Sequence, residues 1–251
     1  MTLKTKLNNF ETTHGTWLTI PSTQVAEVLC LSNLDWITID MEHSAIDFSN
    51  TLNLIAVIES KGIAPLIRIG DNNPYLIKRV MDMGAHGVIV PMVNSKEDAE
   101  KAVQAVKYAP IGNRGVGLAR AQAYGKKFEE YKKWNQESSV IIAQIEHIDA
   151  VSNFKEIVQT EHIDGFIIGP YDLSASMGIP GQFDHPDFIK AMKDLDQMTK
   201  EVKTNCGIHI VYPDPSLYKQ KIEAGYNFIG YGTDFIFLNS SCDKALNDIQ
   251  A

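Results

Sequence analysis

The chain has little cysteine. Its three residues, Cys30, Cys206 and Cys242, are odd in number and far apart, and none forms a Cys-x-x-Cys pair. That argues against a disulfide frame and fits a reducing cytosol. Long apolar runs are missing too. None approaches the roughly 18 residues of a membrane-spanning helix, and the opening MTLKTKLNNFETTHG lacks the apolar core of a signal peptide. Positive charge is scarce, with 23 Lys and Arg against 31 Asp and Glu, a net charge of −8. This argues against nucleic acid or an anionic membrane as a main partner. It does not exclude small anionic ligands, which respond to local fields. No internal repeat and no low-complexity tract is present. What remains is ordinary: 44% hydrophobic and 9% aromatic residues, the composition of a globular protein.

Short β-rich runs alternate with amphipathic helical stretches. GTWLTI (15–20), DWITIDM (35–41), IAPLIRI (63–69), HGVIVPM (86–92), VIIAQIE (140–146), DGFIIG (164–169), GIHIVY (207–212) and YNFIGYG (226–232) are each followed by a helical pattern. Eight strand–helix units in about 250 residues predict an α/β fold, a single-domain (β/α)₈ TIM barrel over 1–251. A doubly wound sheet usually needs fewer strands and often a Gly-rich first turn, and the first turn here, IPSTQ, has no glycine. Ser22, Ser49, Ser95 and Asp187 are read as helix N-caps, with Pro74 and Pro215 in first turns. Residues 110–139 are too long for an ordinary connection and are expected to form an excursion with short helices.

In a barrel, the C-terminal strand ends carry the chemistry. His14, His86 and His162 precede strands and His185 lies in a loop, which leaves His43, His147 and His209 at that face. Asp40, Glu42, Arg68, Glu146 and Asp172 also fall at C-terminal ends. Two of the most apolar runs thus terminate in carboxylates, Glu146 and Asp172, and such groups are costly there unless their charge is compensated. Two carboxylates on adjacent strands, completed by water, suit Mg²⁺ or Mn²⁺. An acid/base pair or a network with Arg68 are the rival readings. Arg68 is either an ion-pair partner of a barrel carboxylate or a clamp for a substrate oxygen. No lysine lies in a predicted strand or at its C-terminal end, so imine chemistry of the Schiff-base kind lacks its amine.

Six segments together carry a resemblance: DWITIDMEH, PLIRIG, NPYLIKRVMDMGAHGVIVPMV, NRGVG, QIE and DGFIIGPYDLSASMG. Collinearly from about residue 15 to 235, the chain resembles the metal-dependent (class II) pyruvate aldolases. This is the family of 4-hydroxy-2-oxoheptanedioate aldolase and the 2-keto-3-deoxy sugar-acid aldolases. The resemblance implies a barrel, a homo-hexamer built as a dimer of trimers, and a divalent ion (Mg²⁺, Mn²⁺ or Co²⁺). It implies that Glu146 and Asp172 bind the metal, that His43 is the general base and that Arg68 stabilises an enolate. Asp82, or alternatively Asp40, would support His43, with Asp82 acting across a subunit interface. Trp17, Gln144 and the backbone N–H groups of Tyr171 and Asp172 would contact substrate. The implied reaction is retro-aldol cleavage of a 4-hydroxy-2-oxo acid to pyruvate and an aldehyde. Decarboxylation of oxaloacetate is the alternative. Tyr171, His147 and His209 depart from the family pattern, and His209, replacing an apolar residue, is expected to favour a polar aldehyde through a hydrogen bond.

Overall fold

A computed structural model describes residues 1–250. Eight parallel strands close into a barrel in sequence order. They are β1 (Thr13–Leu18), β2 (Trp36–Asp40), β3 (Ala64–Arg68), β4 (Gly87–Val90), β5 (Val140–Ile145), β6 (Gly165–Ile168), β7 (Asn205–Ile210) and β8 (Phe228–Thr233). The helices are α1 (Leu3–Asn8), α2 (Thr23–Leu29), α3 (Phe48–Ser60), α4 (Pro74–Met83), α5 (Lys96–Val106) and α6 (Phe128–Ser138). After β5 come α7 (Ile148–Ser152), α8 (Phe154–Val158), α9 (Pro170–Ser176), α10 (Pro186–Glu201), α11 (Pro215–Glu223) and α12 (Asp234–Gln250).

The strands read as unbroken apolar runs because both of their faces are covered. One side chain set packs outward against the helices, including Ile37, Ile67, Val88 and Ile208. The other fills the barrel interior, where Trp36, Leu66, Ile89, Ile142 and Phe228 pack together. The interior set continues into α1, whose Leu3 and Leu7 plug the lower end. Lys4 of that helix pairs with Asp164, and Lys6 lies 2.6 Å from Asp35. At six residues, α1 is too short to be visible as a periodic pattern, and its tertiary contacts hold it in place.

Ser22 and Ser95 cap α2 and α5, and Pro74 and Pro215 open α4 and α11, as expected. Two caps differ. Asp47, not Ser49, caps α3 and accepts the Asn50 N–H at 2.8 Å. His185, not Asp187, caps α10, because Pro186 occupies the first helical position and places the cap just before it. His14 lies inside β1 rather than before it, bonded outward to Tyr218 at 2.8 Å.

The excursion between α5 and β5 carries a 3₁₀ turn (Arg120–Gln122) and α6. Lys107, wholly buried, anchors the end of α6. Its ammonium donates to the carbonyls of Asn135 (2.9 Å) and Gln136 (3.1 Å) and to Ser139 Oγ (2.8 Å). Those carbonyls have no partner within the helix, so the lysine serves as its C-cap. The last helix, α12, stands largely exposed and presents Phe235, Leu238, Leu246 and Ile249 to solvent. Among the described residues, no helix is long and apolar enough to cross a membrane.

Candidate active site

A cavity of about 380 Å³ opens at the C-terminal ends of the strands. Trp17 and His209, Asp40, His43 and Arg68, and Gln144, Tyr171 and Asp172 line it. No lysine is among the lining residues. A wider cleft of about 570 Å³ contains Glu59, His86 and Arg120. There Glu59 is already engaged by both His86 and Arg120, and none of the expected site residues enters.

Asp40 and Arg68 end β2 and β3 at directly paired positions. Arg68 Nε donates to Asp40 Oδ1 at 2.9 Å and Nη2 to Oδ2 at 2.6 Å. Asp40 Oδ1 also accepts the backbone N–H groups of Glu42 (3.0 Å) and His43 (3.2 Å). Burial would raise the carboxyl's pKa, but the arginine and the two N–H groups outweigh it and hold it below the usual range. Arg68 is therefore an ion-pair partner and a cavity wall at once. Asp40 supports His43 through the main chain, while the imidazole itself, 58% exposed, reaches to 3.8 Å from Glu42.

Glu42 and Glu146 are the strained members of the site. Glu42 Oε2 is buried without a hydrogen bond, although Arg68 Nε lies 3.3 Å away, too poorly aligned to donate. Burial, with repulsion from Asp40 and Asp172, pushes Glu42 up to about 7 against the pull of Arg68. Burial likewise pushes Glu146 up to about 7, helped by the charges of Glu42 and Asp172 and opposed by its hydrogen bonds. Glu146 accepts from the Gln144 side chain and, at 2.7 Å, from the Met92 N–H. Met92 holds that N–H in place from a left-handed backbone conformation, φ 52°, unusual for a side chain of its size. Strand-end logic named Glu42 without giving it a role. Met92 left no trace in the sequence, because a backbone donor carries no residue signature.

Asp172 sits in the first turn of α9, which no side chain caps. Tyr171 beside it is half exposed, its ring edge-on to Phe183 at 4.9 Å. His209 stacks on Trp17, with centroids 4.2 Å apart and planes 12° off parallel. Its Nε2 lies 3.1 Å from the Gly232 carbonyl. Burial pushes its pKa down to about 4, so the ring is neutral. The indole Nε1 of Trp17 is buried without a partner.

Three expected residues are not in the wall of this cavity: Glu146 lies directly behind it, beside Gly169, and two others stand apart. Asp82 lies on α4, bonded at 2.6 Å to Arg114 of the NRGVG segment, and the fold does not bring it to His43 within one chain. His147 caps α7 through Nδ1, accepting the Asp149 N–H at 3.1 Å, and is not part of the cavity wall. Among the described residues, no three His, Cys, Asp or Glu side chains converge tightly enough to ligate an ion unaided.

Residues 13–240 match the HpcH/HpaI aldolase/citrate lyase family, and the chain belongs to that family. It is 34% identical over 238 residues to a 2-keto-3-deoxy-L-rhamnonate aldolase of Klebsiella pneumoniae, covering 94% of this chain and 88% of that one. It is 34% identical over 236 residues to a pyruvate aldolase of Rhizobium etli, covering 94% and 92%. The crystal structure of an HpcH/HpaI family protein from Burkholderia cenocepacia superposes with a TM-score of 0.92 at 30% identity, covering 99% of both chains. The chain is an enzyme of the lyase class, a pyruvate-dependent aldolase.

Proposed function

We propose that the enzyme cleaves a 4-hydroxy-2-oxo acid, a 2-keto-3-deoxy sugar acid or a related diacid, into pyruvate and an aldehyde, with a divalent cation held by Glu146 and Asp172. One observation carries this reading: Glu42 and Glu146, carboxylates that repel one another and Asp172, lie next to a cavity that Asp172 lines and whose wall includes no lysine. Two carboxyls pushed up to about 7, Glu42 and Glu146, the first with a buried oxygen that has no partner, are the environment that a dication relieves. Water and substrate oxygens complete such a shell, which suits Mg²⁺, Mn²⁺ or Co²⁺. The bound ion would supply Lewis-acid polarisation of the substrate's 2-oxo group.

The chain's own residues do the rest. His43, exposed at the rim, takes the proton of the C4 hydroxyl. The C3–C4 bond then breaks, its electron pair passing to C3 and the 2-oxo oxygen while C4 leaves as the aldehyde. Arg68, held in place by Asp40, adds fixed positive charge beside the developing enolate. Return of that proton from His43 to C3 completes pyruvate and restores the base. The uncapped backbone N–H groups of Tyr171 and Asp172 receive its carboxylate. Gln144 orients Glu146, and Trp17 with His209 walls the aldehyde side.

The proposed assembly is a homo-hexamer, a dimer of trimers. The exposed apolar side of α12, beside a groove lined by Val28, Leu29 and Tyr218, supports association. Asp82 enters the catalytic reading only through such an assembly. Three free cysteines accord with a cytoplasmic enzyme. The test is exchange of pyruvate's methyl protons into D₂O with Mn²⁺ present and with EDTA. Ion-dependent exchange is expected. Covalent trapping of pyruvate on a lysine by borohydride would overturn the reading, and a higher kcat/KM for oxaloacetate than for any hydroxy-oxo acid would redirect it to decarboxylation.

A further inference from the structure

The imidazole of His209 has a direction that the sequence could not show. Its Nε2 lies 3.1 Å from the carbonyl oxygen of Gly232. A carbonyl only accepts, so Nε2 carries the hydrogen. That carbonyl is aimed by the turn ending β8, where Gly232 adopts φ 68°. Phe237 Cζ lies 2.2 Å from where a Cβ on residue 232 would stand, so any other residue in this turn would be strained and would have to displace that ring. Stacking on Trp17 at 4.2 Å removes the freedom of the ring to turn over. The low pKa of the partly buried ring, about 4, keeps it singly protonated at neutral pH.

A neutral imidazole that donates through Nε2 has only a lone pair at Nδ1. Among the described residues, nothing donates to that nitrogen, and it is not among the buried side-chain atoms left without a partner. It therefore keeps access to solvent, and the open space against this ring is the cavity that the ring lines. We infer that His209 reads a hydrogen-bond donor on the aldehyde half of the substrate, so that the acceptor aldehyde carries a hydroxyl group and not a carboxylate or a bare alkyl chain. The inference rests on the aldolase reading above and narrows it: within that substrate class it favours sugar-derived acids over diacids. A hydroxyl donates to Nδ1. An alkyl group leaves the lone pair unmatched, and a carboxylate sets acceptor against acceptor.

Three acceptor aldehydes that carry a hydroxyl, an alkyl chain or a carboxylate test this with saturating pyruvate and Mn²⁺: glyceraldehyde, propionaldehyde and succinic semialdehyde. The wild-type kcat/KM is expected to rank them in that order. In His209→Leu, the ratio of glyceraldehyde to propionaldehyde should fall about tenfold, the kinetic equivalent of one hydrogen bond. Succinic semialdehyde ahead of glyceraldehyde in the wild type overturns the inference, whether or not the variant folds. So does an unchanged ratio in a folded His209→Leu protein. Metal-dependent methyl-proton exchange of pyruvate by the wild type tests the underlying reading separately, because that step involves no aldehyde.

Discussion

Asp40 and Arg68 face each other across neighbouring strands, in register, and meet through two parallel hydrogen bonds of 2.9 and 2.6 Å. The aspartate is nearly inaccessible, and the arginine side chain is 13% exposed. Breaking such a buried pair from one side leaves an uncompensated charge. We predict that Asp40→Asn destabilises the protein by about 3 kcal/mol in urea unfolding. It should also lower kcat/KM, because Arg68 and the turn bearing His43 lose their shared anchor. Unaltered stability with full activity would show that the pair is dispensable.

The metal-free protein should depend on pH in an unusual sense. An ordinary glutamate titrates near 4.5, whereas Glu42 and Glu146 are held at about 7 in the folded chain. Between those values the folded state keeps protons that the unfolded state has released, so the contribution is complete below 4.5 and is lost as the pH rises through 7. Melting in EDTA should therefore show Tm falling across this window. Glu146→Gln should flatten the slope. Excess Mn²⁺ should reverse it, because ligation requires the deprotonated carboxylates. A Tm in EDTA that rises through this window would refute the assignment of both carboxyls.

Glu146→Ala and Asp172→Ala should fold and lose ion affinity. Removing the Asp172 charge eases its repulsion with Glu42, so Asp172→Ala should be no less stable than wild type when both are metal-free, whereas Glu146→Ala also leaves the Met92 N–H and the Gln144 amide without their acceptor. Isothermal titration with Mn²⁺ is the check. Tight binding retained by either variant removes that residue from the ligand set.

His43→Ala should reduce aldol cleavage by ~10²–10⁴-fold, the usual contribution of a general base. The ring is exposed at the rim and hydrogen-bonded to no carboxylate, so its loss should leave Tm and Mn²⁺ affinity close to wild type. A loss of activity matched by a loss of ion binding would reassign the residue.

Lys107 offers a test remote from the chemistry. Lys107→Met keeps the buried stem and removes the donor from the Asn135 and Gln136 carbonyls. A cost of about 2 kcal/mol follows from stranding the Gln136 carbonyl and removing one of the two donors to the Asn135 carbonyl, which keeps the Ser139 hydroxyl. Chemical denaturation should register it with kcat unchanged. A fall in kcat at constant stability would mean that the excursion communicates with the site.

The barrel was legible because both of its periods are repeated eight times, and each strand run matched an observed strand to within about two residues. Helix starts were legible at the Ser22 and Ser95 caps and at Pro74 and Pro215, and misread where Ser49 competed with Asp47 or where Pro186 moved the cap to His185. Strand-end position sorted Asp40, Arg68, Glu146 and Asp172 toward one face. It could not decide between the two readings of Arg68. The geometry makes the ion pair with Asp40 a fact and leaves the guanidinium bordering the cavity as well. The Met92 N–H, the Gly232 carbonyl and the capping role of Lys107 were invisible for a common reason. Each depends on main-chain atoms brought together by the fold, and the residue alphabet does not encode those.

The ring stack of the cavity has a bearing on how this enzyme can change. Trp17 stacks on His209 and meets Trp36 edge-on at 5.7 Å, and Trp36 stacks in turn on Phe228 at 4.3 Å. Two glycines make room for the indoles. A Cβ on Gly15 would fall 2.0 Å from Trp36, and one on Gly230 would fall 2.5 Å from Trp17. Positions 15 and 36, and positions 17 and 230, are therefore joint choices. A lineage that enlarges residue 230 must first shrink residue 17, and so must open the Trp17 wall of the cavity before it can refill it. New acceptor preferences in this barrel should arise through paired substitutions, in a fixed order, at the seam where the first and last strands meet.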